Sequence, residues 1–154
     1  PDIVTLAKGL GGGFPIGAML GTAPLGPSFG PGSHGTTFGG NPLAVAVAQA
    51  VTDTMKEPSF LPNVQSNATY FRSTLKEALK QTAFTEDLKG WGYLVGIPRG
   101  PQLPEVVAKL EENGVLTVPA AQGVLRLLPP LTVTKEEIDA VVHIVLISLQ
   151  QMKE

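Results

Sequence analysis

The chain opens with two short apolar runs on either side of a glycine-rich link. The first run, "IVTLA" at residues 3–7, contains β-branched residues and predicts a buried strand. The second run, "IGAML" at residues 16–20, predicts another strand. The link between them is short enough for a tight turn. Residues 22–40 are dense in Gly, Pro, Ser and Thr, which predicts a long ordered loop or a linker.

A helix is predicted directly after this loop. Asn41 is a strong N-cap residue, and Pro42 at the first helical position has no N–H group to leave unpaired. The segment that follows, "PLAVAVAQAVTDTMKE", is small and apolar on most faces, so we expect the helix to be largely buried. Pro58 and Pro62 then break the chain, and we place a domain boundary between residues 1–57 and 58–154.

The second part alternates helices with strands. From about residue 63, helical spacing predicts a helix that buries one stripe of apolar residues: Val64, Ala68, Phe71, Leu75, Ala78 and Leu79. "LKGWGYLVGIP" predicts one strand interrupted by glycines, with Trp91 packed inside this part. A short amphipathic helix, "LPEVVAKLEENG", should end at Asn113, with Gly114 just beyond it.

The remaining elements are two strands and a last helix. "VLTVPA" and "VLRLLPP" predict strands on either side of a turn at "AQG". Thr134 and Glu137 form the capping box of the last helix. Its buried stripe is predicted to be Ile138, Val141, Val142, Val145, Leu149 and Met152. This order of elements predicts an α/β or α+β fold in two parts.

Composition and charge exclude several classes of function. The formal net charge is −2, so no basic surface for nucleic acid or an anionic membrane is expected. No apolar run approaches the roughly 18 residues of a membrane span. Cysteine is absent, which excludes disulfides and thiolate metal ligands and fits a reducing compartment such as the cytoplasm. The two histidines, His34 and His143, are far apart in the sequence, and no metal site is predicted.

Lys8 stands between the first apolar run and the glycines, in "LAKGLGGGFPIGAML". A phosphate-binding P-loop would place its lysine after the glycines and follow it with Ser or Thr, which this sequence does not do. A dinucleotide fingerprint counted from Gly9 would need glycine at position 14, where Phe14 stands. Both of these common glycine-rich phosphate motifs are therefore excluded.

A reactive amine fits the position of Lys8 better. A lysine among apolar and glycine residues is poorly solvated, which disfavours its charged form, and a neutral amine is a nucleophile toward carbonyl groups. The glycines would let a bulky planar cofactor approach the backbone. The alternative is a lysine whose stem packs on the surface while its head reaches water.

Three stretches carry a resemblance to a known family: "PDIVTLAKGLGGGFPIGAML", "GSHGTTFGGNPLAVAVA" and "VLRLLPPLTVTKEEID". Together they resemble the second half of the class III aminotransferases, which are pyridoxal-phosphate enzymes of fold type I. The resemblance implies that residues 1–57 are the end of the large cofactor-binding domain. It also implies that residues 58–154 form the small C-terminal domain, of α+β type.

The resemblance also implies roles for four residues. Lys8 would bond covalently to the aldehyde of pyridoxal phosphate and then shuttle a proton. Thr37 would hydrogen-bond the cofactor phosphate of a neighbouring subunit, and Thr36 would lie beside it near the substrate. Arg126 would bind the substrate carboxylate.

The pattern of residues supports the role of Arg126 independently. In "VLRLL" a strand alternates its faces, so Arg126 shares an apolar side with Val124 and Leu128. A guanidinium there needs an anion or a cleft, and its fork matches a carboxylate. The alternative is an edge-strand arginine that pairs with a local Asp or Glu. For the two threonines, the alternative is ordinary loop capping.

Within the family, the sequence is most similar to the branch that acts on acetylornithine and ornithine. That similarity implies transfer of an amino group between N-acetylornithine and 2-oxoglutarate in arginine biosynthesis, by a cytoplasmic homodimer whose active site lies at the interface. Other ω-aminotransferases, which act on ornithine, succinylornithine or 4-aminobutyrate, remain open. So does a non-catalytic assembly domain, because other cofactor residues of the family would precede Pro1. We therefore expect this chain alone to be inactive.

Overall fold

The computed structural model describes residues 1–82 and 87–152. The chain divides into two compact units, Pro1–Leu61 and Pro62–Glu154. The boundary proposed from the sequence falls a few residues before this division. The assignment of the first part to a larger cofactor-binding domain stays a prediction.

The first unit begins with an antiparallel pair of strands. Strand β1 (Ile3–Leu6) pairs with β2 (Ala18–Gly21), so that Ile3 lies opposite Gly21 and Leu6 opposite Ala18. The prediction of a tight turn between them is wrong, because the connection contains a 3-10 helix at Lys8–Gly11. The prediction of a buried strand is also wrong for this unit. Every residue of both strands is exposed, since a two-stranded sheet has no second layer of its own.

Helix α1 (Pro42–Lys56) closes the first unit and begins where the sequence predicts. The Asn41 side chain caps it by accepting a 2.8 Å hydrogen bond from the N–H group of Ala44. The expectation that α1 is largely buried is wrong, because Ala44 is its one buried residue. The small hairpin offers too little surface to cover the helix, and Leu43 and Val45 remain exposed.

Three helices build most of the second unit: α2 (Phe60–Leu79), α3 (Leu103–Glu112) and α4 (Lys135–Gln151). Pro62 does not break the chain, as the sequence suggested, but lies in the first turn of α2. A proline is tolerated there because the N–H groups of a first turn have no partner within the helix. The buried residues of α2 are those predicted, except that Val64 is partly buried: Ala68, Phe71, Leu75, Ala78 and Leu79.

The strands of the second unit form one antiparallel sheet in the order β3-β4-β6-β5. The strands are β3 (Lys89–Trp91), β4 (Leu94–Pro98), β5 (Val118–Ala120) and β6 (Val124–Leu127). The predicted single strand over residues 88–98 is in fact a hairpin, in which Trp91 pairs with Leu94 across Gly92 and Tyr93. The predicted turn at "AQG" is present, with Gln122 in the left-handed region at φ +61°.

The sheet of the second unit packs one face against the helices, while its other face is only partly covered. Its buried side chains pack with α2, α3 and α4 in a single core: Val95, Ile97, Leu125 and Leu127. On the opposite face Trp91 is 90 % exposed and its partner Leu94 is 46 % exposed, so the prediction that Trp91 packs inside this part is wrong. The unit is a two-layer α+β arrangement, with helices on one side of an antiparallel sheet.

Local contacts fix the helices of this layer. Thr134 and Glu137 form both hydrogen bonds of the predicted capping box of α4. Tyr70 of α2 donates a 2.7 Å hydrogen bond to Asp139 of α4, and this bond raises the pKa of the phenol. Across residues 1–82 and 87–152, no helix is both long and apolar enough to span a membrane.

The capping box should contribute measurably to stability. We expect Thr134→Ala to lower the free energy of unfolding by about 1 kcal/mol, because the N–H group of Glu137 loses its acceptor. Urea unfolding followed by far-ultraviolet circular dichroism measures the change. Thr69→Ala is the matched control, because the exposed Thr69 hydroxyl bonds only the Gln65 carbonyl within α2. That control should change stability by less than about 0.5 kcal/mol. Equal effects of the two substitutions would contradict the capping role.

Candidate active site

Lys8 lies directly after β1, at the first position of the 3-10 helix Lys8–Gly11. Its backbone is in the left-handed region, with φ +51°, which few residues other than glycine adopt. Two backbone hydrogen bonds of 3.1 Å hold the turn: Leu10 N–H to the Ala7 carbonyl, and Gly12 N–H to the Gly9 carbonyl. A left-handed conformation costs about 1–2 kcal/mol for a residue with a Cβ, and such strain is concentrated at functional sites.

The expectation that Lys8 is poorly solvated is wrong for this chain, since the side chain is exposed. The neighbouring glycines supply no side chains to cover it. A Cβ atom built on Gly9 or Gly13 would meet nothing within 4 Å, so open space adjoins the lysine. The predicted clearance for a bulky group beside Lys8 is consistent with this geometry.

The turn that carries Lys8 rests on helix α1. A Cβ atom at Gly12 would lie 3.1 Å from Cγ2 of Val51, and Gly12 itself has φ +55°. Glycine is therefore required here for two reasons, a close approach to the helix and a left-handed backbone. The contact fixes the turn, and hence Lys8, relative to α1 within the first unit.

Thr36 and Thr37 lie in the same unit as Lys8, in the loop that leads into α1. The N–H group of Gly39 donates to the Thr36 carbonyl over 3.4 Å, and the Asn41 side chain donates to the Phe38 carbonyl over 2.9 Å. Both threonines are exposed. Neither hydroxyl has a hydrogen-bond partner within residues 1–82 and 87–152.

Arg126 lies in the second unit, on strand β6. Gly96 of β4 pairs with it on one side and Val118 of β5 on the other, so β6 is an interior strand. Arg126 is partly buried and lines a groove of about 280 Å³, whose other described lining residues are Lys89, Gly90, Leu94, Val95, Gly96, Ala120 and Val124. No acidic residue pairs with Arg126 in the part of the chain that the structure describes. The alternative of an edge-strand arginine is wrong, because β6 is paired on both sides.

Sequence reasoning missed two residues of the Arg126 groove. The sequence indicated Gly96 only as one of the glycines that interrupt a strand, and it assigned no role to Lys89. Both lie in the groove because the β3–β4 hairpin places Lys89 opposite Gly96, and Gly96 in turn lies opposite Arg126. The glycines of "KGWGYLVG" were the available signal, since Gly92 lies in the hairpin turn. Among the described residues, no group of three or more His, Cys, Asp or Glu side chains could hold a metal ion.

Comparison with known proteins gives one consistent result. Residues 1–148 match the family described as Aminotransferase class-III. The chain is 49 % identical over 144 residues to acetylornithine aminotransferase of Listeria innocua, covering 94 % of this chain and 38 % of that protein. It is 46 % identical to acetylornithine aminotransferase of Bacillus subtilis, covering 90 % of this chain and 36 % of that protein.

Solved structures agree with the sequence matches. The acetylornithine aminotransferase of Elizabethkingia anophelis superposes with a TM-score of 0.88 at 33 % identity, covering 98 % of this chain and 41 % of that one. The ornithine aminotransferase of Toxoplasma gondii ME49 gives a TM-score of 0.90 at 34 % identity, covering 99 % and 38 %. The chain thus spans less than half the length of the relatives it matches.

Because the backbone of Lys8 has a positive φ, a glycine substitution at this position is predicted to stabilise the turn. Lys8→Gly should stabilise the turn relative to Lys8→Ala by up to about 1 kcal/mol, because glycine adopts positive φ without a Cβ clash. Hydrogen exchange of the Leu10 and Gly12 amides measures it, and exchange should be slower in the glycine variant. Ala7→Gly is the control, since Ala7 is extended at φ −159° and glycine there should speed exchange. Equal exchange in the two Lys8 variants would show that the turn stores no strain.

Proposed function

This chain belongs to the class-III aminotransferases, and we propose that it is the part of such an enzyme that supplies the cofactor-binding lysine and a substrate-binding arginine. The family depends on pyridoxal phosphate, and the fold is that of the fold type I transferases. The proposed reaction moves an amino group from N-acetylornithine to 2-oxoglutarate. We place the complete enzyme in the cytoplasm, as a homodimer with its active site at the subunit interface.

The observation that carries this proposal is the conformation and setting of Lys8. Its amine is exposed, its backbone is held in a strained left-handed turn, and open space adjoins it over Gly9 and Gly13. An aldehyde-bearing ring needs a nearby amine and room for a planar group, and this turn offers both. Lys8 and the glycines that follow it therefore fit the aldehyde and the ring of pyridoxal phosphate.

When bound, the cofactor supplies the electron sink that stabilises negative charge on a substrate carbon. Within this chain, Lys8 is the residue that transfers the proton. Its Nζ atom accepts a proton from the substrate carbon and returns one. The turn between β1 and β2 limits where this amine can reach, because Gly12 packs against Val51 of α1. The backbone thus positions Nζ, while the long side chain moves the proton.

Thr36 and Thr37 supply hydroxyl donors for anionic groups. Their side chains have no partner within the described residues, and the loop that carries them ends at the N-cap Asn41. Hydroxyls and backbone N–H groups in a glycine-rich loop suit a phosphate. We assign the cofactor phosphate to Thr37 and a place beside the substrate to Thr36, with the loop contributed to the neighbouring subunit.

Arg126 supplies the substrate contact. A partly buried arginine that has no acidic partner among the described residues is costly to keep, unless an anion binds it during function. Its planar fork donates two parallel hydrogen bonds to one carboxylate. Both 2-oxoglutarate and N-acetylornithine carry a carboxylate, so this one side chain can orient either substrate.

One other candidate has support of its own. An ornithine aminotransferase is favoured by the TM-score of 0.90 to the Toxoplasma gondii enzyme.

Covalent labelling tests the assignment of Lys8. The chain is mixed with limiting pyridoxal phosphate, its visible absorbance is recorded, and borohydride fixes the adduct for peptide mapping. We expect Lys8 to carry more label than Lys56, an exposed lysine of the same unit that pairs with Asp53. Lys8→Ala should lose that excess. Label spread evenly over the lysines, in the same amount in Lys8→Ala, would sink the assignment.

A chimera tests the role of Arg126. This chain replaces the aligned segment of the Listeria innocua acetylornithine aminotransferase, and the isolated chain serves as the inactive comparison. We expect Arg126→Ala to raise KM for 2-oxoglutarate at least about tenfold, because a charged hydrogen bond contributes roughly 1.5–3 kcal/mol. Arg126→Lys should recover little of it, since an ammonium lacks the fork. An unchanged KM in Arg126→Ala would show that the carboxylate binds elsewhere.

A further inference from the structure

Asn41 joins the loop of Thr36 and Thr37 to helix α1 through both ends of its side-chain amide. Its Oδ1 atom accepts a 2.8 Å hydrogen bond from the N–H group of Ala44, and its Nδ2 atom donates a 2.9 Å hydrogen bond to the Phe38 carbonyl. An N–H group only donates and a carbonyl only accepts, so these two partners fix the orientation of the amide. One side chain therefore holds both the first turn of the helix and the loop before it.

The bond from the Asn41 side chain to Phe38 is the shortest of three hydrogen bonds that close this loop. The other two are backbone bonds of 3.4 Å, from the Gly39 N–H group to the Thr36 carbonyl and from the Asn41 N–H group to the Phe38 carbonyl. Both are longer than the roughly 2.7–3.2 Å of ordinary N–H···O hydrogen bonds. The side-chain bond of 2.9 Å is therefore the strong contact of the loop.

Two glycines make such a contact necessary, because Gly39 and Gly40 lie between the threonines and Asn41. Gly40 has φ +69°, and a Cβ atom built on Gly39 would collide with Cγ2 of Thr36. The tight loop therefore requires glycine at both positions, but glycine also permits many other backbone conformations. The Asn41 amide spans both glycines, and it thereby restricts the loop to one conformation.

Capping of α1 does not by itself account for an asparagine at position 41. A cap needs only an acceptor for the N–H group of Ala44, and Asp or Ser caps a helix about as well as Asn. The amide also has a donor, which an aspartate of the same shape lacks. The loop uses that donor, because Phe38 accepts from it. Ala44 is the buried residue of α1, so the amide is anchored where the helix is packed.

We propose that Asn41 is a positioning residue for the cofactor phosphate, because its amide holds the Thr37 hydroxyl in place relative to α1. This inference rests on the proposed role of Thr37. Asn41 acts through the loop and does not contact the phosphate. Without the amide donor the loop samples further conformations across the two glycines, and Thr37 meets the phosphate in only a fraction of them. The affinity for the cofactor falls by that fraction, while α1 stays capped.

Motion of the loop gives the first test, in the isolated chain. Asn41→Asp removes the donor of the side chain but keeps its shape and its acceptor. We expect the heteronuclear ¹⁵N NOE of the Gly39 and Gly40 amides to fall, because the link across them is lost. The Ala44 amide should exchange with solvent as slowly as before, because it keeps its cap. Unchanged NOE values at both glycines would overturn the inference.

Cofactor affinity gives the second test, in the chimera with the Listeria innocua enzyme. The apo form is titrated with pyridoxal phosphate, and the visible absorbance gives the Kd. We expect Asn41→Asp to raise this Kd about three- to tenfold, the effect of one neutral hydrogen bond. Thr37→Val should raise it at least about tenfold, because a hydrogen bond to a charged group is lost.

The double variant separates positioning from charge repulsion. Asn41→Asp should have no further effect on the Kd in the Thr37→Val background, because Asn41 acts through Thr37. Repulsion between the new carboxylate and the phosphate would persist in that background. Independent effects of the two substitutions, or an unchanged Kd in Asn41→Asp alone, would therefore contradict the positioning role.

The matched control is Thr134→Asp, which exchanges the N-cap residue of α4 for aspartate and adds the same charge in the other unit. The Kd for pyridoxal phosphate should not change, and a rise equal to that of Asn41→Asp would overturn the inference. Failure of the proposed function would look different, since Thr37→Val would then leave the Kd unchanged. The NOE measurement on the loop does not depend on that role of Thr37.

Discussion

The sheet of the second unit has one buried face, and most of that unit follows from this constraint. Leu125 and Leu127 of β6 are buried against the helices, so the residue between them must point the other way. Arg126 is that residue. A register shift of one position would put a guanidinium into the apolar core and two leucines into water, so core packing fixes the register of β6. The same packing therefore places Arg126 on the open face.

Stability and chemistry are thus separated within a single strand. The core side of β6 contributes apolar surface, while the open side contributes a cation whose neighbours in the row are Gly96 and Val118. The pairing of β4 with β6 and of β3 with β4 brings Lys89 into line with Arg126. The helices stay on the opposite side, where α2, α3 and α4 complete the core.

The first unit differs from the second, because it holds the amine of Lys8 in place with very few buried residues. Its strands are exposed and α1 buries only Ala44, so packing contributes little to it. Instead the turn after β1 is fixed by short backbone hydrogen bonds and by the approach of Gly12 to Val51. The left-handed backbone of Lys8 is part of that turn. The first unit also leaves large apolar side chains exposed, such as those of Ile3, Leu20 and Leu43.

The sequence by itself determined the features that depend on local chemistry: the Asn41 cap, the capping box at Thr134, the stripe of α2 and the placing of Arg126 among leucines. Each follows from residue type and spacing over one or two turns or a single strand. It also carried the family resemblance around Lys8. Tertiary structure alone decided the hairpin that brings Lys89 beside Gly96 and Arg126, the exposure of Trp91 and the exposure of Lys8. These depend on which surfaces another layer covers and on which strands pair, and such contacts between distant residues leave no periodic signal in the chain.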